Sequence, residues 1–125
     1  MDYRKLYQMA VEVMQHSYAP FSRFNVGAAL LAQNGEIYTG VNVENSSYGA
    51  TICAERTAYV KAVSEGNREF EAIAITCSEG KAWPCGICRQ FMYEFGEDIK
   101  VITGNDEDHL KVMTLKELLP EGFKL

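Results

Sequence analysis

The sequence lacks most of what would mark a membrane, secreted or nucleic-acid-binding protein. No apolar run approaches the ~20 residues that a spanning helix needs, so no membrane partner is expected. The first fifteen residues, MDYRKLYQMAVEVMQ, mix charged and apolar side chains where a secretory leader would carry an apolar stretch. Positive charge is scarce: 12 Lys and Arg stand against 17 Asp and Glu, a net charge of −5, and no basic run exceeds Arg4-Lys5. Polyanion binding rests on basic patches, so nucleic acid is not expected as a partner. There are two histidines, His16 and His109, and neither has ligand spacing to a cysteine. There are only four cysteines. The chain is expected in the cytoplasm, where thiols stay reduced and Cys-x-x-Cys suggests metal or redox chemistry before a structural disulfide.

What remains is the composition of one globular domain, expected to span 1–125: 47% hydrophobic, 23% charged, without linker, repeat or low-complexity segment. Tyr3, Leu6, Tyr7, Ala10, Val11 and Met14 share one helical stripe, with Asp2 as N-cap and Pro20 excluding any continuation. VGAALLAQ and EIYTGVNV read as strands joined at Asn34-Gly35, a two-residue hairpin signal. CAERTAYVKAVSEG reads as a helix with Gly66 at C′, EAIAITC as a strand, GICRQFMYEFG as a helix and IKVIT as a strand. Thr114 and Glu117 have capping-box spacing and open a last helix, stopped by Pro120. The expected order is αββαβαβα: an α/β fold, a three-layer α/β/α sandwich on a mixed sheet whose later strands run parallel.

Three of the four cysteines are placed informatively. Cys53 and Cys85 each begin a predicted helix, and Cys88 lies one turn after Cys85. Helix N-termini favour thiolate over thiol. Two such helices side by side would converge three thiolates on a tetrahedral Zn²⁺ and leave its fourth position open, the arrangement of a catalytic zinc. Glu55 stands two residues after Cys53, about 200° away around a regular helix, so both reach one site only if Cys53 occupies the irregular cap. A carboxylate there can take and return a proton; its plainer role would be to compensate the helix dipole. Three thiolates leave Zn²⁺ with a net charge of −1, and Arg56 and Arg89 are both placed to offset it, Arg56 with the better helical spacing. Two rivals remain at this level. A thiol oxidoreductase would use WPCGIC but leave Cys53-Ala54-Glu55 idle, and a structural zinc module would recruit Cys77, which reads more simply as a small buried residue.

Taken whole, the sequence resembles the short-chain, homotetrameric cytidine deaminases. The resemblance runs almost end to end, through YAPFSRFNVGAAL, GVNVENSSYG, TICAER, PCGICRQ and ELLPEGF. It implies zinc-dependent hydrolytic deamination of cytidine and 2′-deoxycytidine in pyrimidine salvage, with one Zn²⁺ per subunit and active sites shared within a homotetramer. By position it makes Cys53, Cys85 and Cys88 the zinc ligands and Glu55 the proton shuttle. Phe24, Asn42, Glu44 and Ala54 then contact the nucleoside, with Asn42 and Glu44 at the ribose 3′-hydroxyl. Ser46, Tyr48 and Phe123 would reach a neighbouring subunit's site, and Arg56 and Gln90 would stand behind the thiolates. Ser46 is often alanine in relatives, and Trp83 stands where small residues are common, which bears on the entrance to the site. A deaminase of a nucleoside antibiotic such as blasticidin S, or of polynucleotides, is the rival within the superfamily. Glu44 argues against the latter, since a carboxylate beside the 3′-hydroxyl repels a 3′-phosphate.

Overall fold

The computed structural model describes every residue from Met1 to Leu125. Its elements in chain order are α1 (Tyr3–Val13), β1 (Val26–Ala32), β2 (Ile37–Val41), α2 (Ala54–Ser64), β3 (Phe70–Cys77), β4 (Gly80–Lys81), α3 (Gly86–Tyr93), β5 (Lys100–Gly104), β6 (Leu110–Thr114) and α4 (Leu115–Leu118). The six strands form one mixed sheet ordered β2-β1-β3-β5-β6, with β4 paired to β3. Only β3 and β5 run parallel; every other pairing is antiparallel.

The three layers follow from alternation along the central strands. Ala28, Leu30, Ile73, Ile75 and Val101 face α2, α3 and α4 in the larger apolar cluster. Ala29, Leu31, Ala72, Ala74 and Ile102 face α1, meeting Leu6, Tyr7 and Ala10. The α1 face is built largely of alanine, which lets that helix sit close. The Tyr7 hydroxyl donates to the Gly104 carbonyl at 2.7 Å and hydrogen-bonds Thr76 Oγ1 at 2.9 Å, so its polar end is satisfied inside the packing.

The helix boundaries agree with their capping chemistry. Asp2 accepts from the Arg4 amide at 2.9 Å, Gly66 takes φ +90 just past α2, and Thr114 and Glu117 form a complete capping box. Helix α1 stops at Val13 and tightens into a 3₁₀ turn over Met14–His16, in line with the expected stripe and short of Pro20. One expectation needs correction. The hairpin loop is three residues, not two: Ala32 N bonds the Glu36 carbonyl, Gly35 N bonds the Ala32 carbonyl, and Gly35 alone has positive φ. That is a type I turn closed by a left-handed glycine.

The sheet also has two strands beyond the expected four. Strand β4 is too short to pattern. Strand β6 is a half-exposed edge whose LKVMT has no apolar alternation, and pairing to β5 makes it a strand.

Glycine at two strand positions sets how closely the helices approach. A Cβ on Gly27 would lie 2.1 Å from the Ala10 carbonyl oxygen, and one on Gly40 would lie 2.4 Å from the Ala54 carbonyl oxygen and 2.5 Å from the Ala58 amide nitrogen. These contacts are to backbone, so a whole helix must move. Gly27→Ala and Gly40→Ala are each expected to lower the unfolding free energy by roughly 1–3 kcal/mol. Urea midpoints equal to the parent's would show that the helices have room to shift.

Candidate active site

Two helix N-termini build the centre of the site. Cys53 is the N-cap of α2 and Cys85 the N-cap of α3, both in extended backbone conformation, and neither side chain caps its own helix. Cys88 lies in the first turn of α3 and is buried. All three sulfurs lie within 4.8 Å of one another, and Cys53 Sγ stands 3.8 Å from Cys85 Sγ. Tetrahedral geometry with Zn–S bonds of about 2.3 Å requires sulfur separations of about 3.8 Å. The thiols are therefore spaced for a metal, and they are too far apart for a disulfide. Cys77 lies outside the cluster, buried on β3 with its thiol directed at the Lys81 carbonyl, so the four-cysteine arrangement is not formed.

The extended cap resolves the 200° problem. Because Cys53 leaves the helical path, Cys53 and Glu55 both line one cavity. Glu55 is only 5% exposed. Burial pushes its carboxyl up to about 7, reinforced by the nearby Cys53 charge and opposed by a backbone hydrogen bond and by Arg56. Cys53 is drawn down to about 5, first by hydrogen bonding to Cys88 and then by Arg56 and Cys85 against the cost of burial. Cys88 moves upward for the complementary reasons, its bond to Cys53 and its burial.

The two candidate arginines divide cleanly. Arg56 Nη2 donates to Cys53 Sγ at 3.4 Å. Arg89 turns away, its Nε donating to the Pro84 carbonyl and its Nη1 to the Leu118 carbonyl, each at 2.7 Å. It ties the approach to α3 to the end of α4 and makes no hydrogen bond to a thiol. Gln90, two residues after Cys88, donates from its Nε2 to the Phe123 carbonyl at 3.1 Å, holding the C-terminal segment.

The cavity beside Cys53 and Cys85 has a volume of about 360 Å³, within the range of small-molecule sites. Phe24, Asn42 and Glu44 line it. Asn42 Oδ1 accepts from the Val26 amide at 2.9 Å and from the Ser17 hydroxyl, while Nδ2 donates to the Phe24 carbonyl at 2.7 Å. Ala54 is wholly buried with its side chain in the core, so only its backbone, next to Cys53, belongs near the site. Ser46 is exposed, Tyr48 is 82% exposed and Phe123 64% exposed, and none of the three lines this cavity. Ser22, Val26, Thr51, Ile52, Ile75 and Ala82, none of them expected from the sequence, also line the wall. Ser22 and Val26 lie inside the quoted YAPFSRFNV stretch, but nothing in their spacing marks them. Trp83 joins the lining beside Ala82.

Residues 1–105 match the family described as the cytidine and deoxycytidylate deaminase zinc-binding region. The chain is 46% identical over 125 residues to a cytidine deaminase of Halalkalibacterium halodurans, covering 98% of this chain and 95% of that one. It is 46% identical to one from Sporosarcina psychrophila, covering 98% and 92%. Its structure is similar to the crystal structure of cytidine deaminase from Burkholderia pseudomallei, with a TM-score of 0.92, 42% identity, and coverage of 98% of this chain and all of that one.

The sulfur geometry separates three cysteines from the fourth. Cys85→Ala and Cys88→Ala are expected to lose stoichiometric zinc, because a pair of thiolates at this geometry holds the ion weakly. Cys77→Ala is expected to keep one zinc per chain. Elemental analysis of the purified variants decides, and zinc loss on replacing Cys77 would restore the four-cysteine arrangement.

Proposed function

The chain belongs to the cytidine and deoxycytidylate deaminase zinc-binding family, and from that membership we propose how its own residues carry out the hydrolytic deamination of cytidine. The observation that carries the reading is one cavity lined by Cys53, Cys85 and Glu55 together with Asn42 and Glu44. Cys53, Cys85 and Cys88 would hold the zinc. When bound by such a set, the ion supplies a water acidic enough to act as a nucleophile near neutral pH.

The rest of the chemistry falls to the side chains. Glu55 takes a proton from the attacking water and passes it to N3 of the pyrimidine as the water oxygen bonds to C4. It then carries the second water proton to the amino group. The C4–N bond breaks, ammonia leaves and uridine remains, so one water is consumed for each ammonia released. Arg56, bonded to Cys53, offsets the negative charge that three thiolates gather. Phe24 covers the pyrimidine, and Asn42 and Glu44 accept the ribose. Asn42 has one amide N–H left for a ligand after its bonds to Val26, Ser17 and Phe24. 2′-Deoxycytidine is the second substrate of this reading. The whole chain acts as one domain, and four unpaired thiols suit a cytoplasmic enzyme of pyrimidine salvage. No helix is long and apolar enough to cross a membrane.

A homotetramer with shared sites is the assembly we propose. The exposure of Tyr48 and Phe123, both aromatic and both outside their own chain's cavity, supports it. Ser46 stands in the same exposed segment as Tyr48.

Glu55→Ala is expected to keep its zinc and its fold and to lose at least ~10²–10⁴-fold in turnover, followed as loss of cytidine absorbance. Retention of a tenth of the parent rate would remove Glu55 from the mechanism. The shared site has its own test in mixed assemblies of Phe123→Ala and Glu55→Gln chains. Each parent assembly is expected to be poor, the first in base binding and the second in chemistry. Co-refolded mixtures, verified by native mass spectrometry, are expected to exceed the mean of the two parents. Mixed oligomers held at that mean would show that each chain completes its own site.

A further inference from the structure

We propose that Ser22 is a positioning residue for ribose recognition, its hydroxyl joining the Glu44 carboxylate and the Phe24 backbone into one unit at the cavity wall. The inference rests on the assignment of Glu44 to the ribose 3′-hydroxyl made above. Glu44 lies beyond the end of β2, in a stretch held by the Val43–Ile52 bridge and by its own amide bond to the Tyr18 carbonyl at 2.8 Å. Those contacts place its backbone and leave the long side chain its rotamers. The segment Phe21–Phe24 removes that freedom. Glu44 Oε1 accepts from the Phe21 amide at 2.9 Å and from the Ser22 amide at 3.1 Å, and Oε2 accepts from the Ser22 hydroxyl.

The same hydroxyl accepts from the Phe24 amide at 3.0 Å. A serine hydroxyl has one proton to give and lone pairs to receive, so both bonds are made at once. Arg23, between them, takes φ 60, a left-handed conformation unusual outside glycine, and this turn is what brings the Phe24 amide back over Ser22 Oγ. A carboxylate offers about four lone-pair directions. Three are occupied here, which leaves one for a ligand hydroxyl. Ser22, Phe24 and Glu44 all line the cavity, so the clamp sets the carboxylate that would grip the sugar. Hydrogen bonding to Ser22 is also the first cause drawing the Glu44 carboxyl below its ordinary value, which keeps the acceptor charged.

Steady-state kinetics of Ser22→Ala, Glu44→Ala and the double variant, on cytidine and on 3′-deoxycytidine, test the assignment. Ser22→Ala is expected to raise KM for cytidine about tenfold with kcat within about twofold, the scale of one hydrogen bond to a charged group. KM for 3′-deoxycytidine is expected to stay within about twofold, and Ser22→Ala is expected to add nothing in the Glu44→Ala background. Equal losses on both nucleosides, or additive losses in the double variant, would overturn the inference by showing that Ser22 only shapes its turn. If Glu44→Ala separates the two nucleosides while Ser22→Ala changes neither, the inference alone falls. If Glu44→Ala does not separate them, the reading of Glu44 falls and the Ser22 inference with it.

Discussion

Three sulfurs from two helices can meet only if the first turns of α2 and α3 are held against one another, and the rest of the site depends on that contact. Both helices pack on the same face of the sheet, in the larger apolar cluster. The absence of a Cβ on Gly40 lets the start of α2 settle against β2, where the Ala54 carbonyl and Ala58 amide would otherwise collide with it. Arg89 fixes the other side by tying Pro84 to the end of α4. The sulfur separation that results is close to what a tetrahedral zinc–thiolate site needs.

Charge is managed in the same small volume. Hydrogen bonding from Cys88, and then Arg56, favours anionic sulfur at Cys53, while burial pushes Glu55 toward its protonated form. The two effects differ in origin and need each other in space. A more exposed Glu55 would lose the upward push, and thiols without Arg56 would lose a direct donor. The far wall of the cavity uses another device. Its polar side chains, Asn42 and Glu44, are immobilised by backbone amides and by the hydroxyls of Ser17 and Ser22, so both are fixed in place along the cavity wall.

Much of this was legible in the sequence because it is local. Capping at Asp2 and Thr114, the glycine after α2, the extended cap at Cys53 and the Cys85–Cys88 spacing all follow from rules that act within a few residues. The layered α/β class followed from hydrophobic period. The edge strand β6 was not legible, since its half-exposed residues carry no alternation and only pairing to β5 orders it. The hairpin register was misread for a similar reason: Asn34-Gly35 allows both a two-residue and a three-residue loop, and the pairing of Leu31 with Ile37 selects the longer one.

By itself the sequence determined the chemical inventory: which residues can bind zinc, which carboxylate stands beside them, and where each helix begins. Tertiary structure decided which members of that inventory meet. It chose Arg56 over Arg89, left Cys77 out of the thiol cluster, sent Gln90 to the Phe123 carbonyl and brought Ser22 to Glu44 across 22 residues of chain. The physical reason is range. Caps and turns are settled by neighbouring backbone groups, whereas a guanidinium, an amide or a hydroxyl takes the partner that the packed helices and strands place within hydrogen-bond reach.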